Sequence, residues 1–279
     1  MKILYILLVI TLLSCNRKDE KKSFYYSSQS DTLLLRGEYD EAETAINRAI
    51  ELDENNYVAY NNLGVLEMHH NRSKEVILHA FLRSISIKPD YQIGLFSLAN
   101  YFLEIKDYSN SLQYCTRYLE IINNHDELTD NIAHIWAIRG ECKNHLGEYE
   151  SSLDDLRHAI GLNPMDAGAY KELGSSLRNL HKFDEAIKNY SKAIEVRPDY
   201  AQAFNGRALC YDDGIKDFEK ALSDYSKSIE LDSESGTYYF NRGAFLFENN
   251  FRDKALPDLQ KADSLGKTEA KKYLEKYNK

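Results

Sequence analysis

The sequence predicts an all-α protein: a right-handed superhelical solenoid of about seven helix-turn-helix repeats plus a C-terminal capping helix. Three observations lead there. In residues 167–200, AGAYKELGSSLRNLHKFDEAIKNYSKAIEVRPDY, apolar side chains recur at three- and four-residue steps (Tyr170, Leu173, Leu177, Leu180), break at Phe183-Asp184, and resume at Ile187, Tyr190 and Ile194. A small residue returns at one position of every unit: Ser30, Gly64, Ala99, Gly140, Gly174, Ala208 and Gly243. Three of the four prolines, Pro89, Pro164 and Pro198, fall where a second helix should stop, because proline disfavours helical geometry in the residue before it.

The unit at 167–200 sets the detailed expectations. Gly174 sits inside the first helix, where glycine costs about 1 kcal/mol against alanine, so a close approach by the second helix at Ala186 is expected. Asp184 is expected to cap that second helix by accepting from its free amides. Leu173-Gly174, Leu177, Phe183, Ala186, Tyr190, Ala193 and Pro198 together resemble the tetratricopeptide repeat, whose period is about 34 residues. The resemblance covers residues 23–266. It implies a groove lined by the first helices that binds peptides or extended segments of partner proteins, and it leaves no room for a catalytic domain.

The first fifteen residues differ in composition from the rest. Lys2, the apolar run Ile3–Leu13 and then Ser14-Cys15 make a secretory signal peptide over 1–14, too short an apolar run to span a bilayer, which takes about 20 residues. Leu12-Leu13-Ser14-Cys15 resembles the lipobox of bacterial lipoproteins, which implies acylation of Cys15 and anchoring to a membrane. Residues 15–22 then form a charged tether. Asn16 is not the aspartate associated with inner-membrane retention, and Lys18-Asp19-Glu20 resembles a surface-export signal, so the expected location is the outer membrane, with surface exposure open.

Repeats one to three occupy 23–125. The first helix of the first is degenerate, and the second has an extra residue near Asn71–Ser73. Residues 126–132 insert before repeats four to seven at 133–266, and coincide with Tyr118 where a small residue is usual, so two outcomes are expected there, a loose joint or a longer loop with unaltered packing. The sixth repeat has an extra residue around Asp213-Gly214, and Pro257 lies within the first turns of the second helix of the seventh, where proline is tolerated and a kink stays open. Ala270, Tyr273, Leu274 and Tyr277 then share one face of a capping helix within 267–279.

Removing residues 1–14 takes away one positive charge, Lys2, and moves the formal charge from −9 to −10, which disfavours nucleic acid as a partner. Cys115, Cys142 and Cys210 fall on apolar faces as small hydrophobes, although a Cys115–Cys142 bridge stays open; no CxxC occurs. His69-His70 point in different directions on a helix, and His134 and His145, eleven apart, show no carboxylate at ligand spacing, so no metal or cofactor is expected. No phosphate loop or nucleophile motif is present. The lysine–asparagine–arginine clamp of the chaperone-tail-binding members is missing: its places hold Ser27, Asp31, Asn62, Gly168 and Glu172.

The function that follows is a non-enzymatic, lipid-anchored scaffold or assembly adaptor at a bacterial envelope, holding a protein or peptide segment in its groove. The alternative is a non-catalytic regulatory or substrate-handling subunit of an envelope enzyme complex. Groove-facing positions of repeats two and three, Val58, Asn61, Val65, Met68, Ile93, Phe96, Asn100 and Leu103, form a mostly apolar stripe and are the expected partner site. Phe24 and Leu34 extend it into repeat one. The same positions in repeats four to six are mostly polar: Ala137, Glu141, Asn144, Lys171, Ser175, Arg178, Gln202, Asn205 and Asp212.

Overall fold

The computed structural model describes residues 2–122 and 130–277, with side chains over 18–122 and 131–277. It divides into two compact units, Met1–Glu127 and Leu128–Lys279. Every described element is helical. In the first unit, α1 (Lys2–Arg36) pairs with α2 (Tyr39–Leu52), α3 (Tyr57–His69) with α4 (Lys74–Ile87), and α5 (Gln92–Glu104) with α6 (Tyr108–Ile122). The second holds α7 (Asp130–His145) with α8 (Tyr149–Leu162), α9 (Ala167–Asn179) with α10 (Phe183–Val196), α11 (Ala201–Cys210) with α12 (Phe218–Leu231), and α13 (Gly236–Glu248) with α14 (Arg252–Ser264). The last helix, α15 (Ala270–Tyr277), covers the final hairpin by burying Ala270 and laying Tyr273, Leu274 and Tyr277 on its core.

Where the small position of a first helix is glycine, it faces a large side chain of its own second helix. A methyl group added at Gly64 would stand 2.5 Å from the Phe81 ring, at Gly140 2.6 Å from Leu156, at Gly174 3.1 Å from the Tyr190 ring and at Gly243 2.9 Å from Leu259. The close approach expected at Ala186 is therefore made by Tyr190, four residues on. Gly206 presses on the other face of Tyr190, where a methyl would meet the ring at 2.5 Å. One buried tyrosine thus packs between the first helices of two successive hairpins.

Each first helix ends in a left-handed residue, at Gly37, Asn71, Lys106, Gly147, His181, Lys216 and Asn250. That conformation reverses the chain without lengthening the turn, and only glycine adopts it without strain. Sequence periodicity located these turns but not this requirement, because three of the seven positions carry lysine or histidine.

Several local expectations are revised. α10 starts at Phe183 after Lys182, which gives no side-chain cap, so Asp184 is a first-turn acid favoured by the helix dipole instead of the cap. Side-chain caps occur at Asn56, Asp166 and Asp217. The extra residue of the sixth repeat is absorbed in one π-helical turn, Tyr211–Ile215, that continues α11. α14 runs through Pro257 as one helix. Residues 15–22, expected as a tether, lie within α1, and 130–132, expected as the end of an insertion, already belong to α7. The rest of that insertion, and with it the expected joint, lies outside the described residues, as does the side chain of Cys15. Cys115, Cys142 and Cys210 are all buried.

Candidate functional site

Amphipathic packing places the first helices α7, α9 and α11 side by side in the second unit, and a cleft of about 420 Å³ opens over them. Its lining includes Asn144 and His145 of α7, Lys171, Glu172, Ser175, Arg178 and Asn179 of α9, and Gln202, Asn205 and Leu209 of α11, with Tyr190 at its floor. Most of these side chains are polar, and several are buried, so each needs a partner.

The partners form a chain. Glu172, 5% exposed, accepts from Asn144 Nδ2 at 2.8 Å and pairs with Lys171. Asn144 in turn accepts from Asn179 Nδ2 at 3.4 Å, and Asn205 Oδ1 accepts from Asn241 Nδ2 at 2.9 Å. Burial of Lys171 works against its charge, yet the adjacent Glu172 carboxylate outweighs that and holds the ammonium above the usual lysine range. Burial, with Glu172 facing it, pushes the Glu141 carboxyl up to about 7. Arg178 reaches Asp213 of the π-helical turn at 3.6 Å, while its Nε is buried with no hydrogen-bond partner. The cleft therefore keeps one unspent donor, together with a serine and amides on its wall, which suits the carbonyls and amides of an extended chain.

The apolar stripe expected in the first unit is partly exposed. Ile93 is 53% exposed; Val58, Val65, Met68, Phe96, Asn100 and Leu103 are half-buried; Asn61 is 3% exposed with its Oδ1 lacking a hydrogen bond. Phe96 also packs toward Tyr118, with ring centroids 6.4 Å apart, and Asn100 Nδ2 donates to the Phe96 carbonyl at 2.9 Å. Phe24 is exposed and Leu34 half-buried. Of the polar set in the second unit, Asn144, Lys171, Ser175, Arg178, Gln202 and Asn205 line the cleft. His145, Glu172, Asn179 and Tyr190 were missed. The available signal was the neighbour position: Glu172 and Asn179 each follow a groove residue directly, and a helix side chain one step on can still reach the same opening.

The metal reading also changes. Glu141 stands four residues before His145 on α7, which is ligand spacing on a helix, and their ligand atoms lie with one of Glu172 within 4.8 Å of one another. Among the described residues, no helix is long and apolar enough to cross a membrane.

With that geometry in view, comparison decides what kind of repeat this is. A tetratricopeptide repeat model matches residues 167–200 and another matches 28–91. These two stretches match tetratricopeptide repeats. A TPR repeat-containing protein of Methanocaldococcus jannaschii is 25% identical over 184 residues, 63% of this chain and 31% of that protein. The Hsp70-Hsp90 organizing protein of Triticum aestivum is 32% identical over 121 residues, 41% of this chain and 20% of that protein. The chain thus spans a third or less of the length of these curated relatives. The crystal structure of a tetratricopeptide repeat protein from Parabacteroides merdae superposes with a TM-score of 0.68 at 18% identity, over 93% of this chain and all of that one, and shows the shared fold. Tetratricopeptide repeats in general mediate protein–protein interaction and are not catalytic.

Proposed function

We propose that this protein is an envelope-anchored scaffold that holds an extended segment of a partner protein in the polar cleft over α7, α9 and α11. The observation that carries the reading is the buried Arg178 Nε without a hydrogen-bond partner, in a cleft whose other buried polar groups are already paired. A desolvated donor costs about 1–3 kcal/mol, so its retention is explained if a ligand carbonyl or carboxylate satisfies it. Tyr190 and Leu209 supply the apolar floor and Asn205, Gln202 and Ser175 the adaptable hydrogen bonds that an extended backbone needs. The anchoring half of the proposal rests on the signal-like run 3–13 and on Cys15. Two or more acyl chains hold far more firmly than one, at about 0.8 kcal/mol per buried CH₂.

Two measurements test it. A photo-crosslinking residue placed at Ser175 is expected to trap one partner segment, identified by mass spectrometry, and the same probe at Ile93 is expected to trap little. Capture from Ile93 alone would move the site to the apolar stripe of the first unit. Cys15→Ser is expected to shift the protein from the membrane to the soluble fraction and abolish fatty-acid labelling; a variant that stays with the membrane would refute the anchor.

A further inference from the structure

We propose that Glu141, His145 and Glu172 form a binding site for a divalent metal ion of the zinc type that links α7 to α9. This goes beyond peptide holding and stands whether or not the cleft takes a segment. Glu141 and His145 project from one face of α7 a helical turn apart, and Glu172 reaches them from α9, so three ligands converge from two helices. Their ligand atoms lie within 4.8 Å of one another. Zinc–ligand distances of about 2.0–2.2 Å place bound atoms some 3–4 Å apart, so closure needs about 1 Å of movement at the ends of flexible side chains.

Charge favours a cation here. Two carboxylates, of Glu141 and Glu172, come together across the α7–α9 contact, and the Lys171 ammonium pairs with Glu172. An anion would add to the excess, whereas a divalent ion with a neutral imidazole removes it. The donor set points to zinc, cobalt or manganese over magnesium, because imidazole suits the former and magnesium takes oxygen ligands. The Lys171 pairing and the Asn144 amide do not exclude the ion, since each Glu172 oxygen has two lone pairs and offers one to each. Asn144 instead fixes the carboxylate from behind, as partners of metal ligands do. The open cleft, lined by His145 and Glu172, admits the ion and water to complete its shell.

The test uses the full chain stripped with a chelator, titrated with Zn²⁺ in a calorimeter and with Co²⁺ in an absorption spectrometer. One equivalent is expected to bind, with Co²⁺ d–d bands and no thiolate-to-metal charge transfer. His145→Ala and Glu141→Gln are each expected to weaken binding at least tenfold, and Asn144→Ala about tenfold, with unchanged helical circular dichroism. Glu141→Gln preserves size, so lost binding in a folded variant counts directly. No heat with the wild type, equal affinity in His145→Ala and Glu141→Gln, or a charge-transfer band placing the ion on cysteine would each overturn the site.

Discussion

The three hairpins of the first unit and the four of the second share a backbone plan, yet different chemistry fastens their helices. In the first unit the buried polar fastening of α1 is uncharged. Ser23, Ser27 and Ser30 are fully buried on α1; Asn56 Nδ2 donates to Ser23 at 2.7 Å and Ser27 at 2.9 Å, and Asn62 Nδ2 to Ser30 at 2.9 Å. In the second unit it is ionic. Arg139 grips Asp155 with two bonds of 2.7 Å, Arg207 grips Asp224 at 2.7 and 2.9 Å, and Arg242 grips Asp258 at 2.7 and 2.8 Å. Arg207 and Arg242 also reach back to Ser191 and Ser226 of the preceding hairpin. Leu63 and Leu98 stand at the same repeat position in the first unit, and so does Leu173 in the second. The lesson is that one repeat plan tolerates either apolar filling or a paired charge at this position, provided that both members of the pair change together.

The sharpest way to break the comparison is to remove half of one ionic clip. Asp224→Ala strands Arg207, whose side chain is 20% exposed, and is expected to cost about 3 kcal/mol in the second unit. Replacing both members, Arg207→Leu with Asp224→Asn, copies the Leu173 and Asn189 of the neighbouring hairpin and is expected to cost less than half as much. Chemical denaturation followed by circular dichroism measures both, and an equal cost would show that the pairing carries no strain when broken. Next in size is a glycine–ring contact of the same kind inside each unit. Gly64→Ala and Gly206→Ala each drive a methyl into an aromatic ring, of Phe81 and Tyr190, and each is expected to lose about 2 kcal/mol; a large inequality would mean that one unit can relax around its ring.

Smaller gains are expected at the strained turns. Lys106→Gly in the first unit and His181→Gly in the second relieve left-handed backbone at φ 59° and 57° and should each add up to about 1 kcal/mol. No gain at both would show that the side chains repay the strain elsewhere. The smallest perturbation is chemical labelling. Burial pushes the Cys210 thiol up to about 12, so at pH 8 it is protonated in the folded protein and reacts only through local opening. Cys115, buried in the first unit, is labelled alongside it. Cys115 is expected to label faster than Cys210, because its unit lacks the ionic clips among its described residues; the reverse order would place the weaker fastening in the second unit.

The sequence by itself determined the repeat, its seven registers and the closing helix, because amphipathic period, glycine and proline act locally and each leaves its mark within one unit. Ala270, Tyr273, Leu274 and Tyr277 could be assigned to one face before any contact was known. It also determined that α7, α9 and α11 carry the polar side chains that line the cleft. Tertiary structure decided which of these meet. Glu172 acquires its role from Asn144, 28 residues away, and Arg178 from Asp213, brought near by a π-helical turn that no local pattern announces. Arg207 and Asp224, 17 residues apart on two helices, likewise look like ordinary surface charges until the hairpin closes. A side chain's partner across helices depends on crossing distance and on a one-residue change of helical phase, and neither is written in the period that makes the helices.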